Sequence, residues 1–156
     1  GNSRVEKDKI DLAKDLLAKA GPKLQLPIDH VVADKLEPPH QIKVVDADIP
    51  DGWIGLDIGP KSIALYSNEV KNAATVVWNG PMGKFEDEPF RAGTKGVAEA
   101  MADSNAITVV GGGESAEAVQ LFGLDSKITH VSTGGGAFLE YIEGKKFAAL
   151  SAIDDK

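Results

Sequence analysis

The sequence predicts an α/β fold in which a parallel sheet carries helices on its faces, and three observations carry that prediction. Strand-like apolar runs alternate with amphipathic stretches from Ile54 onward, the connections between them are short, and triple glycines stand where two strands should turn into helices. A parallel pair of strands needs a crossover connection, usually a helix, so short alternating units of this kind build parallel sheets.

Residues 4–20 predict the first helix, with Ile10, Ala13, Leu16, Leu17 and Ala20 on one face and Gly21-Pro22 as its stop. The stretches "LQLP" and "DHVVAD" predict short strands, "KLEPPHQ" a loop and "IKVVD" a further strand. From there the alternation becomes regular. "IGLDIG" reads as a strand, Pro60 opens a helix to about Lys71, "ATVVW" is a strand and "NGPMGKFED" a loop. Residues 88–103 predict a helix with Phe90, Val97, Ala98 and Met101 on one face. "AITVV", a glycine turn and a helix over residues 114–122 follow, then "ITHV", "STGGG" and a short helix over residues 137–143. In a parallel sheet the loops after the strands gather at one edge, where ligands bind, and the loops "NGPMG", "GGGE" and "STGGG" are expected to converge there.

Composition narrows the classes of partner. The chain has 156 residues and no cysteine, so disulfides and thiolate metal sites are excluded, and a cytoplasmic setting is expected. No apolar run is long enough to span a membrane, and the charged residues 4–9 lack the apolar core of a secretory signal. A net charge of −7 without any basic block argues against a nucleic-acid partner.

The glycine triplets are the motifs that bear chemistry. Glycine loses more backbone entropy on folding than any other residue, so three in succession need a reason. A helix start exposes unpaired N–H groups and the positive end of the helix dipole, and glycines let a phosphate approach them closely. Gly111, Gly112 and Gly113 form one such turn, and Gly134, Gly135 and Gly136 a second, although a tight turn alone also uses glycine. Neither matches the Walker A or GxGxxG pattern. Glu114 follows the first triplet, where a carboxylate could hold Mg²⁺ against a phosphate or simply complement the dipole. In "WNGPMGKFE", Asn79, Gly80 and Pro81 suit a turn whose amide and backbone could meet phosphate or ribose. Glu86 on spacing alone reads as a solvated carboxylate. "GWIGLDIGP" is a core strand or an apolar wall for a purine ring. His130 reads as a core histidine, and His30 and His40 have no metal spacing.

Taken together, "GLDIGP", "VVWNGPMGKFE", "GTKG", "VVGGGES" and "THVSTGGGAFLEYIEG" resemble the phosphoglycerate kinase family in order and spacing, from "GNSRVEKDKIDLAKDLLAKA" to the end of the chain. The resemblance implies a Rossmann-like three-layer fold and makes residues 1–156 a partial C-terminal, nucleotide-binding domain. The family's Gly-Gly-Ala-Lys segment and its arginine-rich substrate site have no match in this sequence. The resemblance further implies that Gly55 and Leu56 line the adenosine pocket. It places Asn79, Gly80, Pro81, Met82 and Gly83 against the nucleotide and Glu86 on the ribose. Gly111, Gly113 and Ser115 come beside the phosphates, and Gly112, Gly134, Gly135 and Gly136 at the transferred phosphoryl group. Glu114 takes the place of an aspartate that holds the Mg²⁺ of ATP or ADP, and Lys84 stands where the family has a small or apolar residue. The implied reaction is phosphoryl transfer from 1,3-bisphosphoglycerate to ADP, giving 3-phosphoglycerate and ATP in glycolysis. The C3 substrate would be bound only by an N-terminal domain absent from this chain, so these residues alone are expected to be inactive. The full-length enzyme is expected to be a monomer, and an uncovered sheet edge suggests self-association of the fragment. A non-catalytic module and a dehydrogenase-type dinucleotide domain are competing readings, the second weakened by the missing GxGxxG.

Overall fold

The strands form where β-branched residues run between turn formers, and the helices where small and apolar residues recur at helical spacing. The computed structural model describes residues 1–147 and 152–153, which divide into two compact units. The first comprises residues 1–66 and 82–94, and the second residues 67–81 and 95 onward.

In the first unit a three-stranded antiparallel sheet has β1 (Asp29–Ala33) at its centre, flanked by β2 (Ile42–Asp46) and β3 (Ile54–Ile58). Asp29 pairs with Asp46 across one ladder and His30 with Ile58 across the other, with a register shift between Val31 and Val32. Val32, Ala33 and Ile58 are buried, whereas β2 is an exposed edge. This corrects part of the expectation: β3 does not join a parallel sheet, because its neighbour is β1, running the other way. "LQLP" is not a strand either, since it pairs with no neighbour and leaves Leu24 and Leu26 exposed. The first helix is shorter than predicted, a 3₁₀ turn at Lys7–Lys9 leading into α1 (Ile10–Ala20), and its apolar stripe of Ile10, Leu16 and Leu17 stays 40–52% exposed.

α2 (Pro60–Asn72) follows β3, and β4 (Thr75–Asn79) opens the second sheet. The predicted helix over residues 88–103 is split into a 3₁₀ turn at Glu88–Phe90 and α3 (Ala92–Ala102), with Pro89 at the start of the turn. Phe90, Val97, Ala98 and Met101 are all buried, as their spacing predicts. The parallel sheet is confined to the second unit, in the order β4-β5-β6, with β5 (Ile107–Gly111) between β4 and β6 (His130–Ser132). α4 (Gly113–Leu121) leaves β5 and buries Ser115, Ala116, Ala118 and Val119, and α5 (Gly135–Ile142) leaves β6. The α/β architecture with its βα turns is therefore the observed one. His130 corrects a further expectation: it is exposed, because β6 is short and lies at the sheet edge.

Candidate functional site

In the second unit the ends of β4, β5 and β6 bring Asn79, the glycine turn at 111–113 and the turn at 134–136 to one edge of the sheet. Gly112 N–H donates to the Ser132 carbonyl at 3.0 Å, which ties the two turns together. A methyl group added at Gly135 would come within 2.8 Å of Gly112 Cα, 2.9 Å of Gly112 N and 3.1 Å of the Asn79 side-chain amide. The turns therefore meet backbone to backbone, with the Asn79 amide beside them. Gly112 itself has φ 101°, in the region that side chains avoid.

The other glycines differ. Gly113 and Gly136 have nothing within 4 Å of an added Cβ, and neither has positive φ. Gly111 and Gly134 would meet neighbours only at ordinary contact distance, 3.5 and 3.6 Å. The packing of this unit thus explains Gly112 and Gly135 and leaves Gly113 and Gly136 without a folding reason. Both stand at helix starts that no side chain caps.

Ser115 is fully buried, and its Oγ accepts the Gly80 N–H at 2.7 Å. Trp78, which the sequence did not single out, donates its indole N–H to the Gly80 carbonyl at 2.6 Å. The Asn79-Gly80-Pro81 turn is thereby held from both sides. Glu114 lies exposed in the first turn of α4 and makes no ion pair among the described residues. Among the described residues no three acidic or histidine side chains gather into a metal cage. A lone exposed carboxylate fits Mg²⁺ only in the manner where phosphate oxygens and waters complete the octahedron.

In the first unit an open groove of about 770 Å³ is lined by Gly55, Leu56, Met82 and Gly83, which the resemblance places against the nucleotide, together with Arg4 and His30, and not by Asn79, Gly80 or Pro81. Gly55 N–H donates to Ser3 Oγ at 2.9 Å. Glu86, expected on the ribose, is exposed and does not line the groove either. Lys84 also lines it, but its ammonium pairs with Asp87 at 2.6 Å, and that partner raises its pKa above the ordinary lysine value. Asp57 also lines the groove but is buried, and burial pushes its carboxyl up to about 6 against the Gly93 and Ile58 N–H groups that it accepts. His40 packs on Phe90, and its Nδ1 is buried without a partner.

A profile of phosphoglycerate kinase matches residues 1–145. The chain belongs to the phosphoglycerate kinase family. A phosphoglycerate kinase of Latilactobacillus sakei is 54% identical over 157 aligned residues, and one of Clostridium botulinum 52% over 160. Both alignments cover all of this chain but only 39% and 40% of the relative. Among solved structures, that of phosphoglycerate kinase from Coxiella burnetii superposes with a TM-score of 0.87 at 40% identity, covering 93% of this chain and 39% of that one. Phosphoglycerate kinase from Pyrococcus horikoshii gives 0.79 at 34% identity. The chain thus spans about two fifths of the length of the phosphoglycerate kinases that it matches.

Proposed function

We propose that this chain is the adenine-nucleotide-binding part of a phosphoglycerate kinase, and that its two glycine turns receive the nucleotide's phosphates. The observation that carries this reading is the pair Gly113 and Gly136. Gly113 opens α4 and Gly136 stands in the first turn of α5, both helices are uncapped, and at neither position would a side chain be excluded by packing or by φ. Bare N–H groups at the positive end of a helix dipole favour an anion, and the absence of a side chain lets it come close. The exposed carboxylate of Glu114 would hold Mg²⁺ between itself and the phosphates, and the ion would neutralise charge there. Gly55, Leu56, Met82, Gly83 and Glu86 are assigned to the nucleoside on family membership, with the groove in support for the first four.

The reaction assigned to the whole enzyme is glycolytic and reversible. A terminal phosphate oxygen of ADP bonds to the phosphorus of 1,3-bisphosphoglycerate, the bond from that phosphorus to the acyl oxygen breaks, and the 3-phosphoglycerate carboxylate leaves. Such transfer asks the protein mainly for positioning and charge stabilisation. The glycine turns would supply part of that. The C3 substrate would be bound by the part of the relatives outside this chain, so we assign no kinase activity to these residues alone and place the enzyme in the cytoplasm.

Calorimetric titration of the chain with ADP, with and without Mg²⁺, tests the reading. Binding strengthened by Mg²⁺ and weakened about tenfold, on the order of 1.4 kcal/mol, by Gly136→Ala supports it. No heat from a chain shown to be folded overturns it, and the glycine turns are then architecture, as Gly112 and Gly135 are by geometry.

A further inference from the structure

The motif "GTKG" at residues 93–96 has no part in the reading above. Thr94 is fully buried in the first turn of α3, and its Oγ1 accepts two backbone N–H groups, from Met82 at 3.1 Å and from Gly83 at 3.3 Å. The next two amides are also taken: Lys84 N–H donates to the Leu56 carbonyl at 2.8 Å and Phe85 N–H to the Gly83 carbonyl at 2.9 Å. From Met82 to Phe85, every backbone N–H is satisfied inside the first unit.

This decides what the segment can offer a ligand. A phosphate is bound through N–H donors; the backbone of this segment has none to give, and the Lys84 ammonium is paired with Asp87. The Gly83, Lys84 and Phe85 carbonyls already accept from Phe85, Asp87 and Arg91, so what remains is apolar surface and the Met82 carbonyl, which suit an uncharged ring. Met82 and Gly83 line the groove.

The position of Thr94 is itself fixed. Gly93 N–H donates to Asp57 Oδ2 at 2.7 Å, and Ile58 N–H to Asp57 Oδ1 at 2.9 Å. A Cβ at either Gly83 or Gly93 would run into the Asp57 carboxyl, and one at Gly83 would also reach the Leu56 carbonyl at 2.6 Å. Strand β3, the start of α3 and the segment after Pro81 are packed around the Asp57 carboxyl, with no room for a side chain at Gly83 or Gly93.

We propose that Thr94 is a positioning residue for ligand recognition. By taking the Met82 and Gly83 N–H groups it leaves that segment without backbone donors toward the groove, selecting the uncharged nucleoside over phosphate without touching either. The inference rests on the nucleotide reading above.

Thr94→Val keeps the shape and removes the acceptor, whereas Thr94→Ser keeps the hydroxyl. The probes are ADP and inorganic tripolyphosphate, which has no nucleoside, titrated into the chain. Thr94→Ser should bind ADP within about twofold of wild type. Thr94→Val should lose about tenfold, or roughly 1.4 kcal/mol, for ADP while its tripolyphosphate affinity is unchanged. Hydrogen exchange should show the Met82 and Gly83 amides deprotected in Thr94→Val alone. General destabilisation would weaken both probes, and that result overturns the inference, as does equal ADP affinity in wild type and Thr94→Val. Absence of ADP binding by the folded wild-type chain overturns the nucleotide reading and this role with it. Should Thr94→Val not fold, Thr94→Ala leaves room for a water to accept the two N–H groups. It is read with the same two probes, and a loss confined to ADP is again required.

Discussion

At the start of α2, in the first unit, the Asp29 carboxylate accepts the N–H groups of Lys61 and Ser62 at 2.9 and 2.8 Å and the Ser62 hydroxyl at 2.6 Å. At the start of α3, Asp57 accepts Gly93 N–H at 2.7 Å. At the starts of α4 and α5, in the second unit, glycines stand instead, and no side chain caps either helix. The physical problem is the same at all four ends, namely orphan N–H groups and a positive dipole end. The first unit answers it with buried carboxylates of its own. The second has no buried carboxylate at either helix start, only the exposed Glu114 in the first turn of α4, which is why its turns suit an anion from outside.

Removing the internal anion is the largest break in this comparison. Asp29→Ala orphans two N–H groups at a fully buried site and leaves the Ser62 hydroxyl only the Asp29 carbonyl, and should cost on the order of 3 kcal/mol or more in denaturant unfolding. A loss below about 1 kcal/mol would show that the carboxylate is not what closes the helix start.

Two alanines sharpen the comparison inside the second unit. Gly135→Ala drives a methyl into the Gly112 backbone and should destabilise by about 1–3 kcal/mol. Gly136→Ala meets open space at a helical position and should leave stability unchanged or raise it by up to about 1 kcal/mol, while weakening ADP. Equal stability losses from both would mean that the open position is structural after all.

The smallest expected effect is a difference in pH dependence between the two carboxylates. Asp57 is raised from 3.8 to about 6 by burial, so the folded chain holds its proton more tightly than the unfolded chain does. The stability it contributes is full below about pH 4 and is lost as pH rises through about 6. Asp29 runs the other way. Burial pulls its carboxyl up, but hydrogen bonds from the Ser62 side chain and the Lys61 and Ser62 amides, aided by the Lys61 charge, hold it below 3.8. Its contribution is present above that value and is lost as pH falls below it. Melting curves of Asp57→Asn between pH 4 and 6 should lack the decline seen in wild type. An unchanged slope would remove Asp57 as its source.

Much of this was legible in the chain itself. The buried face of α3 followed from apolar spacing, and the glycine triplets marked both βα turns correctly. The pairing partner of β3 was not legible, because "IGLDIG" suits either sheet and only the presence of β1 beside it makes the sheet antiparallel. Nor were the roles of Asp29, Asp57 and Thr94. Each is an ordinary polar residue in sequence, and its partners lie 32 to 33, 36, and 11 to 12 positions away.

By itself the sequence determined the element types, the family and the places where backbone must lie bare, because periodicity and glycine act locally. Only the tertiary structure decided which glycines folding requires and which it does not. That distinction depends on what a missing Cβ would have met: the Gly112 backbone at Gly135, and open space at Gly136.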